Sequence, residues 1–300
     1  MTVLPVIVNP VARGGRAALP REALERAAHE RGMRVEWQVT AGPGHATELA
    51  ARAARDGLPM VAAWGGDGTY NEVARGLVGT ETGLLVLPGG TSSVLAWELG
   101  IPRRPLAALV AQLAGERRAM NVGVTDRGQL FLLMLSVGPD ALILANLPKI
   151  VKLRAGKAGI ALQAFVECAR ARLPRFQVRL NGRVADASWC IVGNGRCYGG
   201  PYRATPGADP FARGFEVVVL ERHGRRAVIP FFFAIPAGRH LRMRGVSRSA
   251  AEEVVLLGDG GAPYQLDGDP AGTLPVAVHS HPRPLWVLVP RANGGTPKRP

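Results

Sequence analysis

The chain is poor in cysteine, in lysine and in long uncharged apolar runs, and each shortage excludes something. Its 300 residues include three cysteines, Cys168, Cys190 and Cys197. An odd count with no C-x-x-C pair argues against a disulfide framework and against a zinc site, and suits a reducing, cytoplasmic setting. Lysine occurs only at 149, 152, 157 and 298, so arginine supplies nearly all of a net charge of +14. No apolar run reaches the roughly 18 residues a spanning helix needs. Val3–Val8 has no basic lead and is too short for a signal core. The expectation is a chain that does not cross a membrane but is free to touch its inner face. The G-x-x-x-x-G-K-[ST] sequence of P-loop enzymes is missing, as are the H-R-D and D-F-G signatures of protein kinases. The positive charge fits an anionic partner, and a coding bias toward Arg and Ala explains it equally well. Nucleic acid is the weakest such partner, because no recognised motif or aromatic–basic strip accompanies the charge.

Up to about residue 115, strand and helix patterns alternate. Strands are expected at Val3–Val8, Arg34–Val39, Met60–Ala63 and Gly83–Leu87, with helices at Leu19–Arg31, Thr47–Arg55, Ser93–Leu99 and Leu106–Ala114. This order predicts an α/β N-terminal domain with a parallel sheet. Afterwards short strands dominate: Met120–Val124, Leu130–Val137, Phe176–Leu180, Ala187–Val192, Phe215–Leu220, Glu253–Leu257 and Ala277–Val278. A basic helix over Lys149–Leu173 is the exception. The second half therefore reads as a mostly antiparallel β C-terminal domain. We place the domains at 1–118 and 119–289. The apolar strand Leu285–Val289 could return to either of them, and the polar, disordered tail 290–300 could return to the first.

The densest chemistry lies in Gly65-Gly66-Asp67-Gly68-Thr69, followed by Tyr70-Asn71-Glu72. An apolar strand enters this stretch and a helical pattern leaves it. Glycines let the backbone lie against a bulky anion, and amides at a helix start face that anion. The pattern predicts a phosphate site with a carboxylate in it. Asp67 could handle a hydroxyl or hold a nucleotide-bound Mg²⁺, which favours one or two carboxylates plus phosphate oxygens.

Four motifs then occur in order: Asn9-Pro10 with nearby glycines, Gly65–Thr69 with Asn71-Glu72, Leu87-Pro88-Gly89-Gly90-Thr91, and Leu266-Asp267-Gly268-Asp269-Pro270. The ordered set resembles the diacylglycerol kinase catalytic family, which is related to the sphingosine and ceramide kinases; the glycine turn alone is shared with NAD kinases. The resemblance runs over roughly residues 3 to 290. It implies an NAD-kinase/diacylglycerol-kinase-like fold and transfer of the ATP γ-phosphate to a lipid hydroxyl, with ATP and Mg²⁺ as cofactors. It implies nucleotide contacts from Asn9, Pro10, Val11, Ala12, Arg13, Thr40, Gly65, Gly66, Asp67, Gly68, Thr69, Tyr70, Asn71 and Thr91. The acidic pair maps onto Asp267 and Asp269, the second as proton acceptor, so Asp269, Asp267 and Asp67 are the candidate catalytic carboxylates. The implied partner is a lipid substrate at an anionic membrane surface, and a homodimer is compatible with everything above. A kinase for a soluble acceptor such as NAD, and a catalytically inactive nucleotide or lipid sensor, are the competing functions.

Three positions depart from the family pattern. Asp269 stands where Glu is common, and a shift of about an ångström in a base can cost ~100-fold in rate. Ser93 replaces an asparagine. Arg213, in Ala212-Arg213-Gly214-Phe215, occupies the position of an aspartate that holds a structural Mg²⁺ in some members, so no structural metal is expected there. Other features have plainer readings. Asp267-Gly268 also suits a type I′ hairpin turn. His279 and His281 alternate on one strand without a third ligand and read as solvated or packed. Phe231-Phe232-Phe233 reads as core, or as the wall of an acyl-chain pocket. Arg222–Arg226 and Arg239–Arg248 read as solvated loops, or as faces toward anionic headgroups.

Overall fold

A computed structural model of the chain describes residues 1–12, 19–90, 92–146, 174–258 and 261–291. Arg13, Thr91, Cys168, the helix expected over Lys149–Leu173 and the tail beyond Arg291 lie outside these residues. The chain divides into two compact units, one made of Met1–Met120 and the segment from Arg283, the other of Asn121–Pro282.

The first unit is built on β1 (Thr2–Val8), β2 (Met33–Val39), β3 (Met60–Gly65), β4 (Gly83–Pro88), β5 (Glu116–Met120) and β20 (Leu285–Val289), in the sheet order β2-β1-β3-β4-β20-β5. The pairings from β2 through β20 are parallel, and only β5 runs against its neighbour. Central strands buried on both faces must be apolar along their whole length, and β3, β4 and the end of β1 are. Helices α1 (Arg21–His29) and α5 (Pro105–Leu113) pack together, as do α2 (His45–Arg55) and α3 (Asp67–Leu77). The strand order reverses at β1, so right-handed crossovers send α1 to one face and α2 and α3 to the other, and α5 joins α1. The boundary at residue 289 needs correction. Leu285–Val289 lies between β4 and β5 in this sheet, where its LWVLV run fills a place that only a strand apolar on both sides can fill.

The second unit has two six-stranded antiparallel sheets. One runs β10 (Arg183–Ala187), β9 (Phe176–Leu180), β16 (Glu253–Leu257), β19 (Val276–Ser280), β6 (Gly123–Thr125), β7 (Leu130–Phe131). The other runs β15 (Val246–Ala251), β14 (Phe215–Leu220), β11 (Trp189–Gly193), β8 (Met134–Val137), β17 (Pro263–Leu266), β18 (Asp269–Thr273). Inward side chains of both, among them Val178, Val192, Val217, Leu256, Tyr264 and Val278, form one core. The outer face of the second sheet carries Trp189, Ile191 and Val218 and is covered by helix α7 (Arg225–Ala234) through Val228 and Phe231. Phe231 is therefore core. The short helix α6 (Pro139–Asn146) follows β8.

Two expected strands are broken. Met120–Val124 splits because the chain passes from the first unit to the second at Asn121. Leu130–Val137 splits into β7 and β8 because the amides of Leu132, Leu133 and Met134 turn to one carboxylate, that of Asp267.

Candidate functional site

The parallel strands β1 to β4 end on one edge of the first sheet, and the loops that leave them are tied together there. The Asn9 amide donates to the Trp64 carbonyl (3.1 Å), the Thr40 amide to the Val8 carbonyl (2.9 Å) and the Gly89 amide to the Gly65 carbonyl (2.8 Å). The Asn9 side chain adds a bond from Nδ2 to Thr69 Oγ1 at 2.9 Å. Asn9, Thr40, the Gly65–Thr69 stretch and Gly89-Gly90 are thus brought to one place. Val11 is exposed, whereas Ala12 is buried.

Helix α3 begins inside the glycine motif, at Asp67. The Gly66 carbonyl takes the amides of Thr69 and Tyr70, and the Asp67 amide turns to its own carboxylate, which leaves that of Gly68 in the first turn, where a helix favours an anion. Two glycines are required by close approach. A Cβ on Gly65 would collide with the Thr69 side chain, and one on Gly90 would stand 2.5 Å from the Gly66 Cα. Two loops therefore meet backbone on backbone, and Gly66, Gly68 and Gly90 there remain at least partly open to solvent, with no side chain of their own to keep an anion off.

Asp67 differs from its expected role. Its Oδ2 accepts the Val94 amide at 2.9 Å and its Oδ1 the Leu95 amide at 3.0 Å, so it caps helix α4 (Val94–Glu98). Burial pushes its carboxyl above the ordinary value, outweighing those two amides, its own amide and the Arg103 guanidinium. Tyr70 is also corrected. It is fully buried, and its hydroxyl donates to the carbonyls of Gly65 (2.7 Å) and Leu87 (3.2 Å), which ties the ends of β3 and β4. Burial raises its pKa as well, so it is a strut with no side-chain atom left for a nucleotide. Asn71 is buried and accepts from Arg75 Nε at 2.9 Å. Glu72 accepts the Gly44 amide at 3.0 Å, at the start of α2.

In the second unit, Leu266-Asp267-Gly268-Asp269 forms the two-residue turn between β17 and β18, with φ of 51° at Asp267 and 92° at Gly268. Positive φ at both positions is what a type I′ turn needs. The turn separates the two acids. Asp267 accepts three amides, from Leu132 (2.7 Å), Leu133 (2.8 Å) and Met134 (2.9 Å), so it fixes the hairpin. Asp269 is exposed at the head of β18. The turn and the acid it presents are the same feature.

Sequence reasoning missed the support of this turn. Gln265 Oε1 accepts the Gly268 amide at 2.7 Å, and Gln265 Nε2 donates to Asp140 Oδ2 at 3.3 Å, which also accepts from the Tyr198 hydroxyl at 2.9 Å. Asp140 is 6% exposed, and burial pushes its carboxyl up. Arg103, which donates to the carbonyls of Ser92 (2.6 Å) and Ser93 (3.0 Å), was missed too. No sequence motif marks either residue. Arg213 lies 3.4 Å from Glu252, and His279 is exposed. Among the described residues no helix is long and apolar enough to cross a membrane, which says nothing of spanning strands.

Comparison with known proteins agrees with this architecture. Residues 3–125 match the family model described as the diacylglycerol kinase catalytic domain, and residues 134–289 match the YegS C-terminal NAD kinase beta sandwich-like domain. A diacylglycerol kinase of Mycobacterium tuberculosis (strain H37Rv) is 29% identical over 295 residues, covering 95% of this chain and 94% of the relative. Lipid kinase YegS of Escherichia coli (strain K12) is 29% identical over 185 residues, 60% of this chain and 62% of the relative. A crystal structure from Bacillus anthracis (strain Sterne), provisionally assigned as a diacylglycerol kinase, superposes with a TM-score of 0.78 at 20% identity over 96% of this chain and 95% of its own. That likeness shows the fold alone.

Proposed function

The chain belongs to the diacylglycerol kinase catalytic family, and from that premise we propose that it is an ATP-dependent lipid kinase, moving the γ-phosphoryl group to a hydroxyl of diacylglycerol or of a sphingoid or ceramide-like lipid. The observation that carries the reading is the side-chain-free surface where Gly66 and Gly90 touch beside the start of α3. Phosphoryl transfer is mostly positioning and charge stabilisation, and peptide amides supply both without a lysine. Asn9, Thr40, Gly65, Gly66, Gly68 and Thr69 surround the phosphates in this reading. Asp269 takes the proton of the acceptor hydroxyl, whose oxygen attacks the γ-phosphorus. The bond to the bridging oxygen breaks, and ADP leaves with the electron pair.

The residues present fit the nucleotide better than they fit a protein-held metal. Both oxygens of Asp67 are engaged by amides, and no cluster of three His, Cys, Asp or Glu suited to a metal occurs among the described residues. Magnesium would enter on the phosphates of ATP and neutralise their charge. Work on a lipid acceptor places the enzyme at the cytoplasmic face of a membrane, as a peripheral protein.

The test is transfer of label from γ-labelled ATP to diacylglycerol, ceramide or a sphingoid base in mixed micelles, with NAD as the soluble control. Label in a lipid and none in NAD is expected. A well-folded preparation that labels no lipid, or labels NAD alone, would sink the reading.

A further inference from the structure

The strands β14 and β15 pair from Phe215↔Ala251 to Leu220↔Val246, and the chain between them leaves the sheet and returns, closed by a bond from the Glu221 amide to the Gly245 carbonyl at 2.8 Å. This excursion carries α7 and the short 3-10 turn His240–Arg242. Residues 222–251 contain seven arginines and no Asp or Glu, so a tenth of the chain supplies half of its net charge of +14. Arg248 pairs with Glu216. The other six, Arg222, Arg225, Arg226, Arg239, Arg242 and Arg244, are exposed, and none forms an ion pair among the described residues. Elsewhere arginines do find carboxylates, as Arg117 does with Glu81 and Arg183 with Glu221. The excursion is therefore a patch of unneutralised guanidinium groups.

The same helix exposes apolar surface. Its inner face buries Ala227, Val228 and Phe231. Its outer face, at spacings of four and three, holds Arg226, Pro230 and Phe233, all exposed. Phe233 is 58% exposed. Its ring is held in place from the core outward: Trp189 is fully buried, Phe232 stacks on it at 6.0 Å, and Phe233 meets Phe232 edge-on at 5.4 Å. A single exposed phenylalanine means little by itself. One braced against the core, on a helix that begins at Arg225-Arg226 and is followed by Arg239, Arg242 and Arg244, has the composition of a surface that lies on acidic lipid.

We propose that this excursion, residues 221–245, is a docking surface for an anionic bilayer, in which Phe233 enters the headgroup boundary and the arginines contact acidic headgroups. The proposal takes its purpose from the lipid-kinase reading, but the binding itself needs neither ATP nor acceptor. The experiment is co-sedimentation with phosphatidylcholine vesicles and with vesicles of equal parts phosphatidylcholine and phosphatidylglycerol, at low and high salt. The expected result is binding to the anionic vesicles only, weakened by salt. R225Q combined with R226Q lowers the partition by about 25-fold, about fivefold for each charge, and Phe233→Ser lowers it by about tenfold. R239Q with R242Q provides a second, independent pair. All are exposed positions, so the unfolding midpoint stays in place.

Equal binding to both vesicle types, or variants that sediment like the parent, would overturn the proposal. So would tighter binding to a DNA duplex with no effect of Phe233→Ser, which would mark a general polyanion patch. Activity on a short-chain, monomerically dispersed lipid acceptor separates the two readings. Activity there without vesicle binding defeats the surface alone. Vesicle binding without transfer to any acceptor defeats the kinase reading alone.

Discussion

The carboxylate of Asp67 holds the amide of Val94, with Oδ2 and the nitrogen 2.9 Å apart, so the acid in the glycine turn also caps the helix that follows β4. The two loops of the cradle are thereby locked to each other twice, once through Gly66 and Gly90 and once through this bond. Asp67→Asn keeps one acceptor and turns a donor toward the second amide. The expected loss is about 1–2 kcal/mol of stability, the usual value of an N-cap, together with weaker ATP binding. Urea unfolding and ATP titration of the same variant check this. Lost transfer with an unchanged unfolding midpoint would return Asp67 to the chemistry itself.

The Asp267–Gly268–Asp269 turn makes a sharper separation. Asp267→Asn disrupts three charge-assisted bonds to backbone amides, and such bonds contribute about 1.5–3 kcal/mol each before relaxation. A clear loss of stability is expected. Asp269→Asn touches an exposed side chain, and should leave unfolding unchanged while transfer falls by at least ~100-fold, the scale of a lost general base. Asp269→Glu adds one methylene and should keep transfer measurable. If Asp269→Asn retains full transfer, the proton has another acceptor.

The sequence carried the parts of this molecule that follow from repetition and local chemistry. The parallel sheet was legible because Met60–Trp64 and Gly83–Leu87 are apolar throughout and are followed by glycines, and the I′ turn because Asp-Gly accepts positive φ. Leu285–Val289 was legible as a strand but not in its placement, because an apolar run of five fits any buried sheet position. The capping roles of Asp67 and Asp267 were hidden for another reason. Their partners are backbone amides 27 and about 134 residues away, and an amide leaves no mark in a sequence. Asp140 and Arg103 were hidden likewise, since contacts made by folding alone give them their surroundings.

Ser93 tests how a departure from the family pattern is accommodated. It precedes α4 with φ of 44° and ψ of 61°, a left-handed conformation that costs a non-glycine residue about 1–2 kcal/mol and suits asparagine better than serine. Its side chain is fully buried, and its Oγ lies 3.4 Å from the Tyr70 hydroxyl. Ser93→Gly removes the strain and loses only that long contact, so thermal unfolding should shift upward, by about 1 kcal/mol at most. A lower midpoint would mean that the buried hydroxyl outweighs the backbone term.

Asp140 should write its burial into the pH dependence of stability. Its folded pKa is raised above the ordinary 3.8. Below that value the carboxyl is protonated in both states and burial carries no charge penalty. As pH rises from 3.8 to the folded pKa, the unfolded chain releases its proton while the folded one keeps it, so stability falls; above the folded pKa the penalty is constant. Asn at this position removes the charge and retains an oxygen for Tyr198 and Gln265. Asp140→Asn should therefore match the parent near pH 4 and exceed it at neutral pH, with the difference reaching a plateau. Chemical unfolding of both proteins across that range is the measurement. A difference that stays flat with pH would show that another group carries the titration. A variant less stable than the parent at neutral pH would show that the anion is worth more to Tyr198 and Gln265 than its burial costs.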